Sequence, residues 1–395
     1  MSQSNLPELR LKPREERRLR AGHLWIYSNE VDTAATPLTG FEPGALCRIV
    51  DARGKVMGVG YVNPRTLLAA RMLTSNGKAD IDPAWFANRI RSALALRERL
   101  YDRPYYRLVY GESDGLPGLV VDRYGEVCVV QMATAGMDRL KPALLEGLKQ
   151  ALAPRGILLR NDVSMRETEG LPEQVEEIGE VPETVTIEEA GVRFEIPVKT
   201  GQKTGWFFDQ RANRDALAPY VRGRSVLDVF SYLGGWSLRA LKLGASSATA
   251  IDSSAAALEG AAKNAQLNGL QLETLQGKAI ALLRELRTQQ KKFDVVVVDP
   301  PALIKRKKDL ETGSAHYGAL NKTAMELLSA DGILVSCSCS HHLDAESLQR
   351  ILLRESRSAG RRLQILGQGG QGPDHPVHPA IPETRYLKTF FCRVA

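Results

Sequence analysis

Aromatic side chains are scarce in this chain: Phe, Trp and Tyr together make up 6% of 395 residues. A broad platform for stacking unpaired bases is therefore not expected. Cysteine is scarcer still, limited to Cys47, Cys128, Cys337, Cys339 and Cys392. An odd count argues against a disulfide framework, and Met1 to Arg20 is polar and basic, without the apolar stretch of a secretory signal. Reduced thiols and a cytoplasmic location follow as expectations. No run approaches the ~18 uninterrupted apolar residues of a membrane span. Neither sign of charge prevails by much: 53 Lys and Arg against 46 Asp and Glu leave +7, which permits a polyanionic partner without proving one. What remains is ordinary globular composition, 43% apolar and 25% charged, with length enough for two or three domains.

The chain reads as three zones. In residues 1–75, short strand-like runs (Leu24 to Tyr27, Ala45 to Val50, Val56 to Val62, Thr66 to Met72) alternate with turns at Gly44, Gly54 and Pro64, as small β structure does. Basic residues crowd its start, Arg14 and Arg17 among them; a solvated face and a phosphate contact are both open readings. Residues 76–198 read as α+β. An amphipathic helix over 83–101 carries Trp85, Phe86, Ile90 and Leu94 near helical spacing, with Pro83 in its first turn. The Pro- and Glu-rich stretch 168–190 reads as a loop. From residue 199 to 395 strands and helices alternate, and strands such as Val295–Val298 are apolar on both faces, as in a parallel sheet covered by helices on both sides.

In open parallel sheets ligands bind beyond the carboxyl ends of the strands. The first strand of this zone leads into Asp228-Val-Phe-Ser-Tyr-Leu-Gly-Gly235, and the second ends in Asp252. A Gly-rich turn with a carboxylate roughly 20 residues on is a nucleotide-type arrangement. The turn is not G-x-G-x-x-G, which favours a ligand without phosphates, such as S-adenosylmethionine. The fourth strand ends in Asp299-Pro300-Pro301 and the fifth in Ser338-Cys339-Ser340-His341-His342. If these strands are neighbours, ~4.8 Å apart, Asp299 and Cys339 flank one pocket, a carboxylate and a nucleophile beside a cofactor site. Cys337, Cys339, His341 and His342 do not match zinc-ligand spacing, and no metal is expected.

Together these residues resemble class I S-adenosylmethionine-dependent methyltransferases. More closely, they resemble the ribosomal RNA large subunit methyltransferase I family, which makes 5-methylcytosine in 23S rRNA. The likeness is carried by Asp228 to Gly235, Asp252, Asn264-Ala-Gln-Leu-Asn-Gly269, Asp299-Pro300-Pro301 and Ser338-Cys339-Ser340. Lys203-Thr-Gly-Trp-Phe-Phe-Asp-Gln-Arg211, Gly111-Glu-Ser-Asp-Gly-Leu-Pro-Gly118, Tyr386-Leu-Lys388 and Cys392-Arg-Val394 add to it. The resemblance implies an α/β protein: an N-terminal PUA-type RNA-binding barrel, a central α+β domain and a C-terminal doubly wound Rossmann-like methyltransferase domain. It implies Cys339 as nucleophile and Asp299 as its acid–base partner. Cofactor contacts fall to Asp228, Tyr232, Gly234, Asp252, Gln210, Arg211 and Pro300. Apart from the resemblance, charge alone makes Arg14 and Arg17, and the run Lys305, Arg306, Lys307 and Lys308 just after Asp299-Pro300-Pro301, candidates for RNA contact, with a solvated face or loop as the open alternative. Lys278 stands where the family often has an acidic residue suited to adenine, and a lysine cannot accept a hydrogen bond.

A thiolate adding to carbon 6 of cytosine makes carbon 5 nucleophilic, so the expected reaction is carbon-5 methylation through a cysteine adduct. The competing readings are an amine methyltransferase acting on adenine or guanine through Asp299-Pro300-Pro301, and a non-catalytic RNA-binding assembly factor. A 23S rRNA partner, no membrane and room for a homodimer complete the expectations.

Overall fold

The structure is a computed structural model that describes residues 6–395; the first five residues of the stretch read above as no secretory signal lie outside it. Two compact units emerge among the described residues: 6–183, 197–206 and 373–384 form one, and 184–196, 207–372 and 385–395 the other.

The first unit opens with β1 (Glu8–Arg10), α1 (Glu16–Arg20), β2 (Trp25–Ile26), β3 (Ala45–Val50), β4 (Val56–Val62) and β5 (Ala70–Thr74), a five-stranded sheet ordered β1-β3-β4-β5-β2. It packs over a core of Leu9, Ile26, Ile49, Val62 and Met72. Next comes α2 (Pro83–Leu100), started by the Asp82 carboxylate accepting the Trp85 amide at 2.8 Å and by Pro83 in the first turn. A second sheet holds β6 (Tyr105–Tyr110), β7 (Leu119–Tyr124), β8 (Val127–Met132), β9 (Gly156–Arg160) and β10 (Val175–Gly179), ordered β10-β9-β8-β7-β6. Between its strands lie α3 (Ala135–Arg139), α4 (Lys141–Leu152) and α5 (Met165–Thr168). Helices α2 and α4 approach so closely that a Cβ on Gly147 would lie 2.5 Å from Phe86 Cβ.

The stretch read as a loop instead contains β10 and β11 (Val185–Glu189), the latter paired with β12 (Val192–Ile196). Its glutamates misled because β10 is an edge strand, where charged side chains are the usual protection against stray pairing. In β11 the burial alternates, with Ile187 and Glu189 inward.

The second unit continues through α6 (Arg211–Asp215) and α7 (Ala218–Val221) into the expected alternation. Its elements are β13 (Ser225–Val229), α8 (Gly235–Lys242), β14 (Ser247–Asp252), α9 (Ala255–Leu267), β15 (Glu273–Gln276), α10 (Ala279–Thr288), β16 (Phe293–Val298), α11 (Leu310–Leu327), β17 (Leu328–Ser338), α12 (Ala345–Ser358), β18 (Leu363–Gly369) and β19 (Lys388–Val394). The seven strands run β15-β14-β13-β16-β17-β19-β18; the first five are mutually parallel, and β19 lies antiparallel between β17 and β18. Val295, Val296, Val297 and Val298 are all 0% exposed. Val296 and Val298 face α10, α11 and α12, whereas Val295 and Val297 face α7 and α8. Each such side chain contributes about 1.5–3 kcal/mol relative to exposure. Strand order reverses between β13 and β16, so the crevice above their carboxyl ends is the ligand position this fold provides.

Candidate active site

Beyond β13 the chain curls through Phe230 (φ 71°), Tyr232 (φ 51°) and Gly234 (φ 82°) before α8 begins. Gly234 is needed twice over, for its left-handed backbone and because a Cβ there would press on Ala261 and Leu238, each 3.3 Å away. Asp228, 0% exposed, fixes the base of the turn: its Oδ2 accepts the Ser237 amide at 3.0 Å and the Ser237 hydroxyl at 2.6 Å. Its Oδ1 and the neighbouring Ser231 Oγ are buried without a hydrogen-bond partner. Desolvation raises the Asp228 carboxyl to about 7, against the Ser237 hydrogen bonds that lower it. At the tip of β14, Asp252 accepts the Tyr232 amide at 3.0 Å and the Ser254 amide at 2.9 Å. A cavity of about 350 Å³ opens beside it, walled by Phe230, Ile251, Ala279, Ile280 and Leu303. Lys278 lines this cavity as the residue before α10, with its side chain exposed.

The other half of the rim is the pair β16 and β17, which are parallel neighbours with Val298 opposite Ser336. Asp299 follows at the tip of β16, partly buried. Gln210 Nε2 donates to its Oδ1 at 2.9 Å and Trp236 Nε1 to its Oδ2 at 3.0 Å. Asn213 donates to Gln210 Oε1 at 2.6 Å, which orients that amide with its nitrogen toward Asp299. Desolvation raises the Asp299 carboxyl to about 6; nearby Asp209 adds to this, while Trp236, Arg214 and Gln210 oppose it. Cys339 stands just past β17, its Sγ 3.8 Å from the Pro300 carbonyl. It is the one partly exposed thiol; Cys47, Cys128, Cys337 and Cys392 are buried. Burial raises Cys47, Cys128 and Cys392 to about 12 and Cys337 well above its ordinary value, as inert small hydrophobes.

The serines on either side of Cys339 explain why the motif reads Ser-Cys-Ser. Both are 0% exposed. Ser338 Oγ donates to the Tyr317 hydroxyl at 3.0 Å, the same hydroxyl lies 3.0 Å from Ser340 Oγ, and Ser340 Oγ accepts the Ile304 amide at 3.1 Å. The thiol's turn is thereby tied to the loop that carries Asp299.

The sequence-derived candidates separate into groups. Asp228, Tyr232, Gly234 and Asp252 gather at the β13–β14 tips, and Asp299, Pro300 and Cys339 at the β16–β17 tips. Gln210 lies at Asp299. Arg211 lies 3.5 Å from the Glu189 carboxylate and over the Phe208 ring, beside the buried Arg214–Glu189 pair. Lys305, Arg306, Lys307 and Lys308 are exposed between Ile304 and α11, with Arg306 paired to Asp309 at 3.1 Å. Arg14 and Arg17 are exposed in the first unit, whereas Arg18 and Arg20 pair with Glu30 and Asp51. Sequence reasoning missed Trp236, Asn213 and Tyr317. The sole signal for Trp236 was its place directly after Gly234-Gly235, at the ligand end of the sheet.

The family described as PUA-like domain matches residues 9–75, and that described as S-adenosylmethionine-dependent methyltransferase matches residues 171–381. The structure of SMU.776, solved in complex with SAH, shares the fold at a TM-score of 0.84, over 98% of this chain and 100% of its own, at 18% identity. The crevice and the doubly wound sheet thus belong to an S-adenosylmethionine-dependent methyltransferase. Within that class the chain is 37% identical to Ribosomal RNA large subunit methyltransferase I of Klebsiella pneumoniae (strain 342) over 402 aligned positions, covering 100% of both proteins. It is 38% identical to the same enzyme of Aliivibrio fischeri (strain MJ11) over 387 positions, 96% of this chain and 97% of the relative. The chain belongs to the ribosomal RNA large subunit methyltransferase I family.

The residues fit the methyl donor of this class. The apolar cavity suits a flat heterocycle, Asp252 at its edge suits ribose hydroxyls, and the orphaned Asp228 and Ser231 oxygens suit polar partners at the turn. Among the described residues no group of His, Cys, Asp and Glu could hold a metal ion, and no helix is long and apolar enough to cross a membrane.

Proposed function

We propose that this methyltransferase modifies carbon 5 of a cytosine in 23S ribosomal RNA, with Cys339 as covalent nucleophile and Asp299 as its acid–base partner. The observation that carries the reading is the one partly exposed thiol, held at the tip of β17 against the Pro300 carbonyl, one strand from Asp299. S-adenosylmethionine supplies an electrophilic methyl group when bound; Asp228, Tyr232, Gly234 and Asp252 are the residues to hold it, and Pro300 lies beside the thiol. Carbon 5 of cytosine is a weak nucleophile. The Cys339 thiolate adds to carbon 6, and the ring's displaced electron pair makes carbon 5 an enamine-type nucleophile. Asp299, raised to about 6 and fixed by Gln210 and Trp236, faces ring nitrogen 3 and shares a proton there as negative charge develops. After methylation the carbon 5 proton departs to a base, the electron pair re-forms the ring double bond, and the thiolate is expelled.

The cytosine must stand unpaired or flipped out to reach this rim. Lys305, Arg306, Lys307 and Lys308 follow the Asp299 loop and are suited to phosphate contacts there, as Arg14 and Arg17 are in the PUA-like domain. An rRNA substrate also makes the cytoplasm the working compartment.

Two measurements test the reading. Nucleoside mapping by mass spectrometry of 23S rRNA from cells with and without the gene should show one 5-methylcytosine missing. The Cys339→Ala protein should lose methyl transfer while still binding S-adenosylmethionine. Full activity in that variant would overturn covalent catalysis and leave amine methylation through Asp299-Pro300-Pro301.

A further inference from the structure

Lys388 begins β19 opposite Ser338, so its side chain starts one residue away from the thiol across the strand pair. It is 7% exposed, an unusual place for an ammonium. Its Nζ donates to the Ser340 carbonyl at 2.6 Å and to the Tyr386 carbonyl at 2.7 Å. The cation thus brackets Cys339: it pairs by backbone register with the residue before the thiol and grips the carbonyl of the residue after it. Two backbone oxygens satisfy hydrogen bonds but leave the positive charge itself without a neutralising partner among those contacts. The charged or titratable groups that act on it are Cys339 and Asp344, both of which favour its protonated form against the desolvation that otherwise lowers it to about 8. The His341 and Tyr386 rings, 5.7 Å apart, flank the same turn.

We propose that Lys388 is the positioning residue of Cys339: its buried ammonium pins the Ser338–His341 turn through the Ser340 carbonyl, is itself held by the Tyr386 carbonyl, and stabilises negative charge on the Cys339 sulfur. The proposal deepens the covalent reading and rests on it for its purpose, but its test does not require turnover. At neutral pH the ammonium keeps its proton and the thiol's proton goes to solvent. Above about pH 8 the ammonium deprotonates, and the stabilisation fades.

The test is the pH dependence of Cys339 alkylation by iodoacetamide in the full-length protein, followed by mass spectrometry of the Cys339 peptide. The four buried thiols stay unreactive in the folded chain. Wild type should alkylate with a midpoint below the ~8.5 of a free cysteine. Lys388→Met should move that midpoint up by about one unit and slow alkylation at pH 7 about tenfold, and Lys388→Arg should restore most of the loss. A change of access alone alters the plateau rate and leaves the midpoint in place. An unchanged midpoint in folded Lys388→Met overturns the proposal. If that variant shows no cooperative melting, wild type decides: a midpoint at or above 8.5 overturns the proposal, and a lower midpoint reproduced by Lys388→Arg supports it. Retained methyl transfer in Cys339→Ala would sink the covalent reading, yet the alkylation midpoint would still report whether lysine and thiol are coupled.

Discussion

At the tips of β13 and β14 the two carboxylates are held largely by main chain: Asp228 takes the Ser237 amide and hydroxyl, and Asp252 takes the amides of Tyr232 and Ser254. At the tips of β16 and β17 the two groups proposed to react, Asp299 and Cys339, are held by side chains drawn from far along the sequence. Gln210 and Trp236 clamp Asp299, and Tyr317 and Lys388 fix the serines around Cys339. The first half is a mould whose shape follows from backbone conformation, suited to a ligand that is always the same. The second half is an assembly in which one side chain can be changed while the fold stays. The two halves should therefore fail in different ways.

The largest separation should come from Cys339→Ala set against Asp252→Ala. Removing the thiol should lower methyl transfer to an rRNA fragment by about 10³-fold or more, with calorimetric affinity for S-adenosylmethionine unchanged. Asp252→Ala should do the reverse, weakening that affinity about 10–100-fold, because it removes a charged acceptor and leaves two loop amides unpaired. If both variants lose binding and turnover together, the rim is not divided as described.

Trp236→Phe is the next test. Phe keeps the ring packed among Leu217, Val226 and Val297 but removes the indole N–H from Asp299. A hydrogen bond to a charged acceptor contributes about 1.5–3 kcal/mol, so the Asp299 carboxyl should rise further above about 6 and turnover should fall about tenfold or more. Cofactor affinity should hold. A pH–rate profile superimposable on wild type would remove Trp236 from the machinery.

These contrasts also explain what the sequence disclosed. The mould was legible because it is local: Asp228, Gly234 and the carboxylate at Asp252 lie within one β-α-β unit, and their spacing carries the meaning. The parallel sheet was legible because Val295–Val298 must bury both faces. Much of the assembly was not. Asp299 and Cys339 stood out by motif and strand position, but Trp236 and Tyr317 reach them from other elements without any local pattern to mark them, and Lys388 stood in a recognised motif that gave no sign of its reach toward Ser340. Strand β11 was read as loop because its glutamates looked solvated, while Glu189 is in fact 2% exposed and paired with Arg214. A buried charge with its partner 25 residues away leaves no trace in periodicity.

The smallest functional change with the clearest sign belongs to Asp228→Asn. In the folded protein this carboxyl titrates near 7, against about 3.9 in an unfolded chain. Between about pH 4 and 7 the unfolded state has lost its proton while the folded state keeps it, so stability falls as pH rises. Asparagine retains an acceptor for Ser237 and never ionises. It should therefore match wild type near pH 4 and exceed it by up to about 4 kcal/mol at pH 8, the Ser237 hydrogen bonds being already contained in the position of the carboxyl. Urea unfolding across that range measures the difference. A gap that is constant with pH would show that Asp228 is ionised throughout. Above about pH 7 the same variant should bind S-adenosylmethionine somewhat more weakly, because the oxygen left without a partner at the turn would no longer carry negative charge. A mould made more stable and less receptive by one amide would be the counterpart of an assembly that loses rate without losing its fold.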